Sequence, residues 1–575
     1  MSSDFQIRGT SDTAPFTLKI HRGDGMALLA MNWRHGEPPA DFVGFAIEYR
    51  EPGGDKFYAL KNRLGFLGAD GKVNPKTLST LQSPIQKFRW VHFPRNAELD
   101  GDFLYRVTPV FMNERDELSL GEPQQAAIEL RRDTYPGVLN VSFTRGFVSS
   151  QGFVDKYVTK TDGLKTLLPR TADGGLTFVP THPKAVEALE WMGFEARRAI
   201  LSVLDEAVAD TKAQVRVVAY DLNEPDVVSR LERLGPRLRM IIDDSDAHGE
   251  AGSAETQAFA RLSASAGAAN VRRQHMGKLQ HNKTIVVNGP KVKAAVCGST
   301  NFSWRGFFVQ SNNAVVLRGS KAVNAFMGAF DNYWANSTVA GFGASASAQW
   351  INVSPGDVNL KLAFSPHTAG NALLASVAAD VASTKSSLFY SLAFLYQTPG
   401  VIRDAIELVT KNDQRFVYGI SDRKVGGGLD LLKPDGNHSP VYPASISGDL
   451  PEPFKSEPSG LSGGVGTRMH HKFIVIDFDK PTARVYLGSY NFSVPADVSN
   501  GENLLLIRNR RIAVSYMVEA LRTFDHYHFR VNQQQAATKR KVLHLWRPPR
   551  KTGEVAWWKD DYTDPRRIMD RELFD

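Results

Sequence analysis

The 575-residue sequence predicts an α/β fold class, with two tandem α/β repeats preceded by an all-β sandwich. Three observations predict it. Residues 1–131 alternate apolar and polar positions between Gly, Pro, Asp and Asn turns. From residue 171, strand-like apolar runs and helical periodicity follow one another as β-α-β-α-β, and the same order recurs from residue 351. Each series then reaches a histidine and a lysine two residues apart, followed by Gly-Ser-x-Asn.

Taken in order, residues 1–131 hold FTLKI, ALLAMNW, FVGFAIEYRE, FRWVHFP, FLYRVTPVF and AAIELRR, a small sandwich. Trp33 in an early strand, Phe45 to Tyr49 in a central one and Tyr105-Arg106-Val107 in a late one resemble a fibronectin type III domain. Such a module docks a protein partner or acts as a spacer. Residues 132–170 mix Gly, Pro and polar positions and read as a connection. The first repeat, 171–350, opens with TFVPTHP as a strand, then a helix, then QVRVVAYDLNEPDVVSRLERLG and RLRMIIDD. The second, 351–535, runs through KLAFSPH, NALLASVAADVAST, SSLFYSLAFLY, PGVIRDAIELVT and QRFVYGISD, and closes with the helix RRIAVSYMVEALRTFDHYHFRV.

His182 and His367 follow the first strand of each repeat, where they either line a cleft or hold a turn. Between repeat core and motif, residues 243–280 and 426–467 read as inserted loops. Arg272, Arg273, Lys278, Arg423, Lys424 and Arg468 flank the motifs and are positioned to extend a cationic groove or to be solvated. The tail 536–575 interleaves Lys and Arg with Trp546, Trp557, Trp558 and Tyr562. That composition suits stacking on bases, insertion at a membrane interface, or wrapping back over its own domain.

Hydrophobic residues at 42% and charged residues at 23% exclude wholesale disorder and a membrane-embedded class. The first fifteen residues lack the pattern of a secretory signal, and no apolar run is long enough to span a bilayer, so a cytoplasmic protein is expected. Cys297 is the single cysteine, which excludes intramolecular disulfides and thiolate metal clusters; within KAAVCGSTN it reads as a small core residue. A net charge of +8 favours a polyanionic partner, nucleic acid or an anionic lipid surface.

The chemistry concentrates in TRMHHKFIVIDFDKPTARVYLGSYNFSVPADVSNGENLLLI. His470, Lys472 and Asp477 form H-x-K-x4-D, followed by Ser489 and Asn491 of Gly-Ser-Tyr-Asn and by Glu502. Alternation puts His470 and Lys472 on one face of a strand, a nucleophile or acid beside a cation. Upstream, LQHNKTIVVNGPKVKAAVCGSTN supplies His281, Lys283, Ser299 and Asn301. Asn312 lies eleven residues past Asn301, as Glu502 lies past Asn491. In this copy amides replace both carboxylates, Asn288 for the motif aspartate and Asn312 for the glutamate. An imidazole beside an amide lacks the charge partner that raises its pKa, so His281 is expected to stay neutral and nucleophilic. A metal site at His470 and His471 is not expected, because adjacent strand residues point to opposite faces.

The longer string, with its GSYNFS and NGEN form and its second copy, resembles the phospholipase D superfamily, and within it the small bacterial endonucleases. The resemblance implies two tandem phospholipase D-like repeats forming one pseudo-twofold catalytic unit, complete without an obligate oligomer. It further implies a cofactor-free phosphodiesterase. His281 would be the nucleophile, His470 the acid and base, and Lys283, Lys472, Asn301 and Asn491 the phosphoryl-binding groups, with Glu502 orienting an imidazole of either half. Three readings stand: hydrolysis of nucleic acid, hydrolysis of phospholipid headgroups, and non-catalytic binding of nucleic acid or phosphate.

Overall fold

The computed structural model describes residues 4–575 apart from 69, 75–76, 95, 131–132, 147–152, 154–155, 159–162, 423–430, 433–468 and 539–541. Arg423, Lys424, Arg468 and nearly all of the second expected insertion lie outside the described residues. The chain divides into two compact units, one made of Met1–Arg132 and Val514–Asp575, the other spanning Asp133 to Ala513. The division therefore falls inside the long helix Arg510–Thr538.

In the first unit, strands Gln6–Arg8, Phe16–Arg22, Ala27–Trp33 and Arg89–His92 form one antiparallel sheet. Phe42–Arg50, Tyr58–Ala59, Asp102–Met112, Leu118–Leu120 and Gln124–Glu129 form another. Phe16, Leu18 and Leu29 from the first sheet and Phe42, Phe45 and Tyr105 from the second share one core. The tail belongs to this unit and packs on the sandwich. Trp558 is buried in its core, Trp557 stacks on Phe88 at 5.3 Å, and the Trp33 amide donates to the Tyr562 hydroxyl at 3.2 Å. Of the tail aromatics named above, only Trp546 is largely exposed, so its neighbours are core groups and not free stacking platforms.

The second unit contains two sheets with a shared strand order. The first sheet runs Leu139–Phe143, Asn313–Arg318, Lys293–Gly298, Thr284–Asn288, Gln214–Ala219, Leu238–Ile242, Val271–Arg273. The second runs Ile351–Asn352, Asn359–Ser365, Glu502–Arg508, Arg484–Gly488, Lys472–Ile476, Ser387–Leu392, Phe416–Ile420, Leu431–Leu432. From Leu139–Phe143 to Leu238–Ile242 and from Asn359–Ser365 to Phe416–Ile420 the two lists match strand for strand, including the parallel pairing of Gln214–Ala219 with Leu238–Ile242 and of Ser387–Leu392 with Phe416–Ile420; the final edge strands differ, Val271–Arg273 pairing parallel and Leu431–Leu432 antiparallel. Apolar faces of Ala185–Ala209 and Pro225–Glu232 cover the first sheet, and Leu374–Ala382 and Val401–Thr410 the second.

Two sequence expectations change here. TFVPTHP is not a strand: Gly175–Thr177 forms a single 3₁₀ turn. The strand in the place expected for it is Leu139–Phe143, within the stretch read as a connection; its LNVSF alternation is buried by antiparallel pairing with Asn313–Arg318. Residues 243–280 are not a loop either. They carry the helix Ala254–Ala266 and the edge strand Val271–Arg273. The Ser253 hydroxyl accepts from the Thr256 amide to start that helix, and Gly267 at φ +93° ends it.

Candidate active site

Both H-x-K pairs enter their strands from a short extended approach. His281 lies three residues before Thr284–Asn288, and His470 two residues before Lys472–Ile476, so neither histidine is itself a strand residue. Each lysine still turns back to its histidine. Lys472 Nζ donates to the His470 carbonyl at 3.0 Å, and Lys283 Nζ bonds the His281 carbonyl. The two approaches are stitched to the opposite half by paired bridges. Gln280 pairs with Gly501, and Met469 with Ser311. The residue after each bridge, His281 against Glu502 and His470 against Asn312, is therefore brought face to face with its counterpart.

Side-chain contacts follow that crossing. His281 Nδ1 donates to Glu502 Oε2 at 2.8 Å, and His470 Nδ1 donates to Asn312 Oδ1 at 2.8 Å. All four residues are buried. The expectation that His281 sits beside the amides of its own half is thus corrected: the carboxylate serves His281 and the amide serves His470. The amide orientation is set independently, because Asn312 Nδ2 donates to the Gly306 carbonyl at 2.9 Å and Ser299 Oγ donates to Asn312 Oδ1 at 3.0 Å. A glutamate at 312 would turn a carboxylate oxygen toward that carbonyl.

Burial pushes the His281 imidazole below its ordinary pKa, with Glu502 opposing and Lys283 adding to the shift. Burial holds His470 well below its ordinary value, the charges of Lys472 and Lys283 add to the shift, and an amide rather than a carboxylate holds its Nδ1. Its Nε2 lies 3.0 Å from Lys472 Nζ, as a neutral, Nδ1-protonated ring accepting from the lysine amine. Burial lowers Lys283 to about 8 against the pull of Glu502, Asp221 and Asp243, and it lowers Lys472 well below its usual value. Two lysines and two imidazoles thus share one buried centre, in which Glu502 holds one imidazole and an amide holds the other.

The Gly-Ser-x-Asn turns are shaped by close backbone approach. Gly298 has φ +129° and Gly488 φ +142°, and a Cβ would lie 2.6 Å from the Asn313 carbonyl oxygen in one turn and 2.2 Å from that of Asn503 in the other. Past each turn, Ser299 and Ser489 hold the return strand by accepting from the amides of Asn313 and Asn503 at 3.0 Å. Asn301 and Asn491 are buried, and the Oδ1 of each has no hydrogen-bond partner among the described residues.

Asp477 and Asn288 stand apart from this centre. Asp477 ends the strand Lys472–Ile476, where its Oδ1 accepts from the Lys385 and Ser386 amides at 2.9 and 2.8 Å. Asn288, at the far end of Thr284–Asn288, accepts from Lys293 Nζ at 2.7 Å near the surface. The corresponding junction in the first half is held from the other side, by Asp210 Oδ2 accepting from the Lys291 and Val292 amides at 2.9 and 3.2 Å. The missing carboxylate at 288 is therefore a relocated structural tie. His182 and His367 do not line the centre. His182 Nε2 lies 2.8 Å from the Tyr157 carbonyl, and His367 Nδ1 lies 2.8 Å from Asp497. Arg273 is tied down by the carbonyls of Asp243 and His248, while Arg272 stacks on Trp334 at 3.9 Å and stays exposed. Cys297 is buried and its thiol pKa is pushed up by burial.

Residues not singled out in the sequence complete the site. Tyr220 packs edge-on against His281 at 4.8 Å and Phe394 against His470 at 5.7 Å. Asp243 Oδ1 accepts from the Gln280 amide at 2.6 Å and Asp422 Oδ1 from the Met469 amide at 2.9 Å, so each anchors the residue before a motif histidine. Asp243 directly follows its strand in MIID and Asp422 follows its strand after one serine in GISD, which is the signal that could have found them. Among the described residues, Asp221, His248 and Glu255 gather their ligand-type atoms within 4.8 Å. His248 uses both ring nitrogens on carboxylates, Nδ1 on Asp243 at 2.9 Å and Nε2 on Asp221 at 3.2 Å, so imidazole–carboxylate pairs knit this cluster together.

Residues 204–334 match the family model described as cardiolipin synthase, PLD-like domain; the chain carries a PLD-like domain. A curated phospholipase D of Rickettsia prowazekii is 48% identical over 48 residues, 8% of this chain and 22% of that protein, so the match spans under a quarter of the relative's length. Among solved structures, phosphatidylserine synthase of Haemophilus influenzae Rd KW20 aligns with 13% identity over 58% of this chain and 85% of that one, at a TM-score of 0.41. The phospholipase D family member NUC of Salmonella typhimurium aligns with 26% identity over 24% and 87%, at a TM-score of 0.20.

Proposed function

We propose that this protein, through its PLD-like domain and the repeat that completes it, hydrolyses phosphodiester bonds in nucleic acid by way of a phosphohistidine, with the two halves contributing to one site. The observation that carries the reading is the crossed pair His281–Glu502 and His470–Asn312, flanked by Lys283 and Lys472. His281 Nε2, held by the Glu502 carboxylate on Nδ1, attacks phosphorus; the bond to the leaving oxygen breaks, and His470 gives that oxygen its proton. Water then attacks the phosphohistidine and passes a proton to His470. Lys283, Lys472, Asn301 and Asn491 take the charge of the phosphoryl oxygens, the task metal ions perform in other phosphotransferases.

The neutral resting state of His470 is consistent with this role. A phosphodiester anion brings negative charge to His470, whose Nδ1 is held by an amide, and so favours the imidazolium needed for the first step. A nucleic-acid substrate is supported by the +8 net charge and by the GSYNFS and NGEN form. A phospholipid headgroup is the second reading, favoured by the curated relative named as a phospholipase D. The sandwich is read as a fibronectin type III-like docking module, and the protein as cytoplasmic.

The test is turnover, with a chelator present, of single-stranded DNA, duplex DNA, RNA and phosphatidylcholine vesicles by wild type and His470→Ala. Nucleic-acid cleavage that disappears in the variant is expected. Headgroup release alone would replace the nucleic-acid reading with the lipid one, and no His470-dependent turnover would favour a binding protein. Acid-quenched phosphoenzyme is expected from wild type and not from His281→Ala; the reverse dependence on His470 would exchange the two roles.

A further inference from the structure

A partly buried charge cluster lies beside the site, formed around His248. His248 sits between two carboxylates, and each of those carboxylates also grips a part of the site. Asp243 Oδ2 takes His248 Nδ1 while its Oδ1 takes the Gln280 amide at 2.6 Å, immediately before His281. Asp221 Oδ1 takes His248 Nε2 while its Oδ2 accepts from Asn301 Nδ2 at 2.5 Å. Tyr220 fills the space between, edge-on to His248 at 4.5 Å and to His281 at 4.8 Å. In the second half Asp422 anchors Met469 in the same way, but the residue following Phe394 is Leu395, where Asp221 follows Tyr220.

We propose that His248 is a positioning residue of the site: charged between Asp221 and Asp243, it ties the carboxylate that holds Asn301 to the carboxylate that holds the chain entering His281. The reasoning is electrostatic. Without a cation between them, buried Asp243 and half-buried Asp221 repel, and relaxing that repulsion moves the groups they hold. The charged groups facing His248 support its charge. Glu255 approaches from the helix Ala254–Ala266, and Asp244 and Asp246 belong to its own loop. Arg273 donates to the backbone carbonyls of Asp243 and His248, fixing the loop without competing for the ring. Lys283 and Arg305 act on Asp221 from the site side. Burial alone would lower the His248 pKa, but Glu255, Asp221 and Asp243 outweigh it and hold the pKa well above its ordinary value.

This inference rests on the proposed phosphodiesterase reading for its activity readout and on anion binding for an independent one. The experiment compares wild type, His248→Gln, Asp221→Asn and the double variant Asp221→Asn/His248→Gln, with thermal melts to establish folding. His248→Gln is expected to lower kcat about 10- to 100-fold through misplacement of the reacting groups. The double variant is expected to recover most of that loss, because one of the two facing carboxylates is then neutral and its amide oxygen still accepts from Asn301. A structural role independent of charge predicts that the double variant is no better than His248→Gln, and that result, or an unchanged kcat in His248→Gln, overturns the proposal. If wild type turns over no phosphodiester, the reading of the function fails while the clamp is still decided by tungstate calorimetry. His248→Gln then binds tungstate about 10-fold more weakly and the double variant recovers; equal affinities in wild type and His248→Gln overturn it.

Discussion

His470 and Asn312 show what a single amide does in a buried centre. Asn312 keeps the hydrogen bond that orients the ring and removes the charge that would hold it protonated. Asn312→Asp restores that charge, so the limb on which kcat/KM falls with rising pH moves upward by about one unit; a pH–rate profile measures it, and an unmoved limb would disconnect Asn312 from His470. Because unliganded His470 is neutral, tungstate or phosphate binding takes up a proton, read as a difference in binding enthalpy between two buffers of unlike ionisation heat. Affinity for the anion weakens as pH rises through about 8, where Lys283 loses its charge. The residue types of the centre were legible in the sequence, since H-x-K and Gly-Ser-x-Asn are local strings. The partner of each imidazole was not, because it comes from a residue 221 positions away for His281 and 158 for His470.

At the level of elements, the two motif strands differ at their far ends in a way that looks like decay and is structural exchange. Asp477 gathers the amides that open Ser387–Leu392, whereas Asp210 reaches the turn after Thr284–Asn288 from the opposite side. Asp477→Asn should therefore lower stability by about 1–3 kcal/mol, the cost of leaving buried donors poorly satisfied, with kcat of the folded protein unchanged. Asn288→Asp should be neutral in both. Denaturant melts paired with initial rates separate these outcomes, and a kcat collapse in Asp477→Asn would return that carboxylate to the site. Strands with strong alternation were read correctly from residues 214 to 242 and 359 to 420. The helix Ala254–Ala266 was missed because AETQAFARLSASA carries few large apolar residues, and its identity rests on a serine cap and a glycine stop.

Over the whole chain, the tail and the sandwich share a core. Trp558→Ala should destabilise the first unit by about 3–5 kcal/mol, the usual loss for a large aromatic removed from a core. Equilibrium unfolding followed by tryptophan fluorescence tests this, and an unchanged midpoint would mean the tail contributes no packing. The alternation of basic and aromatic residues in 536–575 suits a nucleic-acid surface as well as a folded strap. Only the burial of Trp558, the stacking of Trp557 on Phe88 and the bond from the Trp33 amide to Tyr562 distinguish them.

By itself the sequence determined the order of strands and helices over residues 214–242 and 359–420 and the local strings that meet at the centre. These are encoded by short-range periodicity and by strings a few residues long, which survive without knowledge of neighbours. Tertiary structure alone decided that Glu502 serves His281 and Asn312 serves His470, that Leu139–Phe143 completes the first sheet, and that His248 links two carboxylates behind the site. Each of these depends on which backbone passes beside which, through pairings such as Gln280 with Gly501 and Ser311 with Met469. Hydrogen bonds and charges act over a few ångströms of space whatever the distance along the chain.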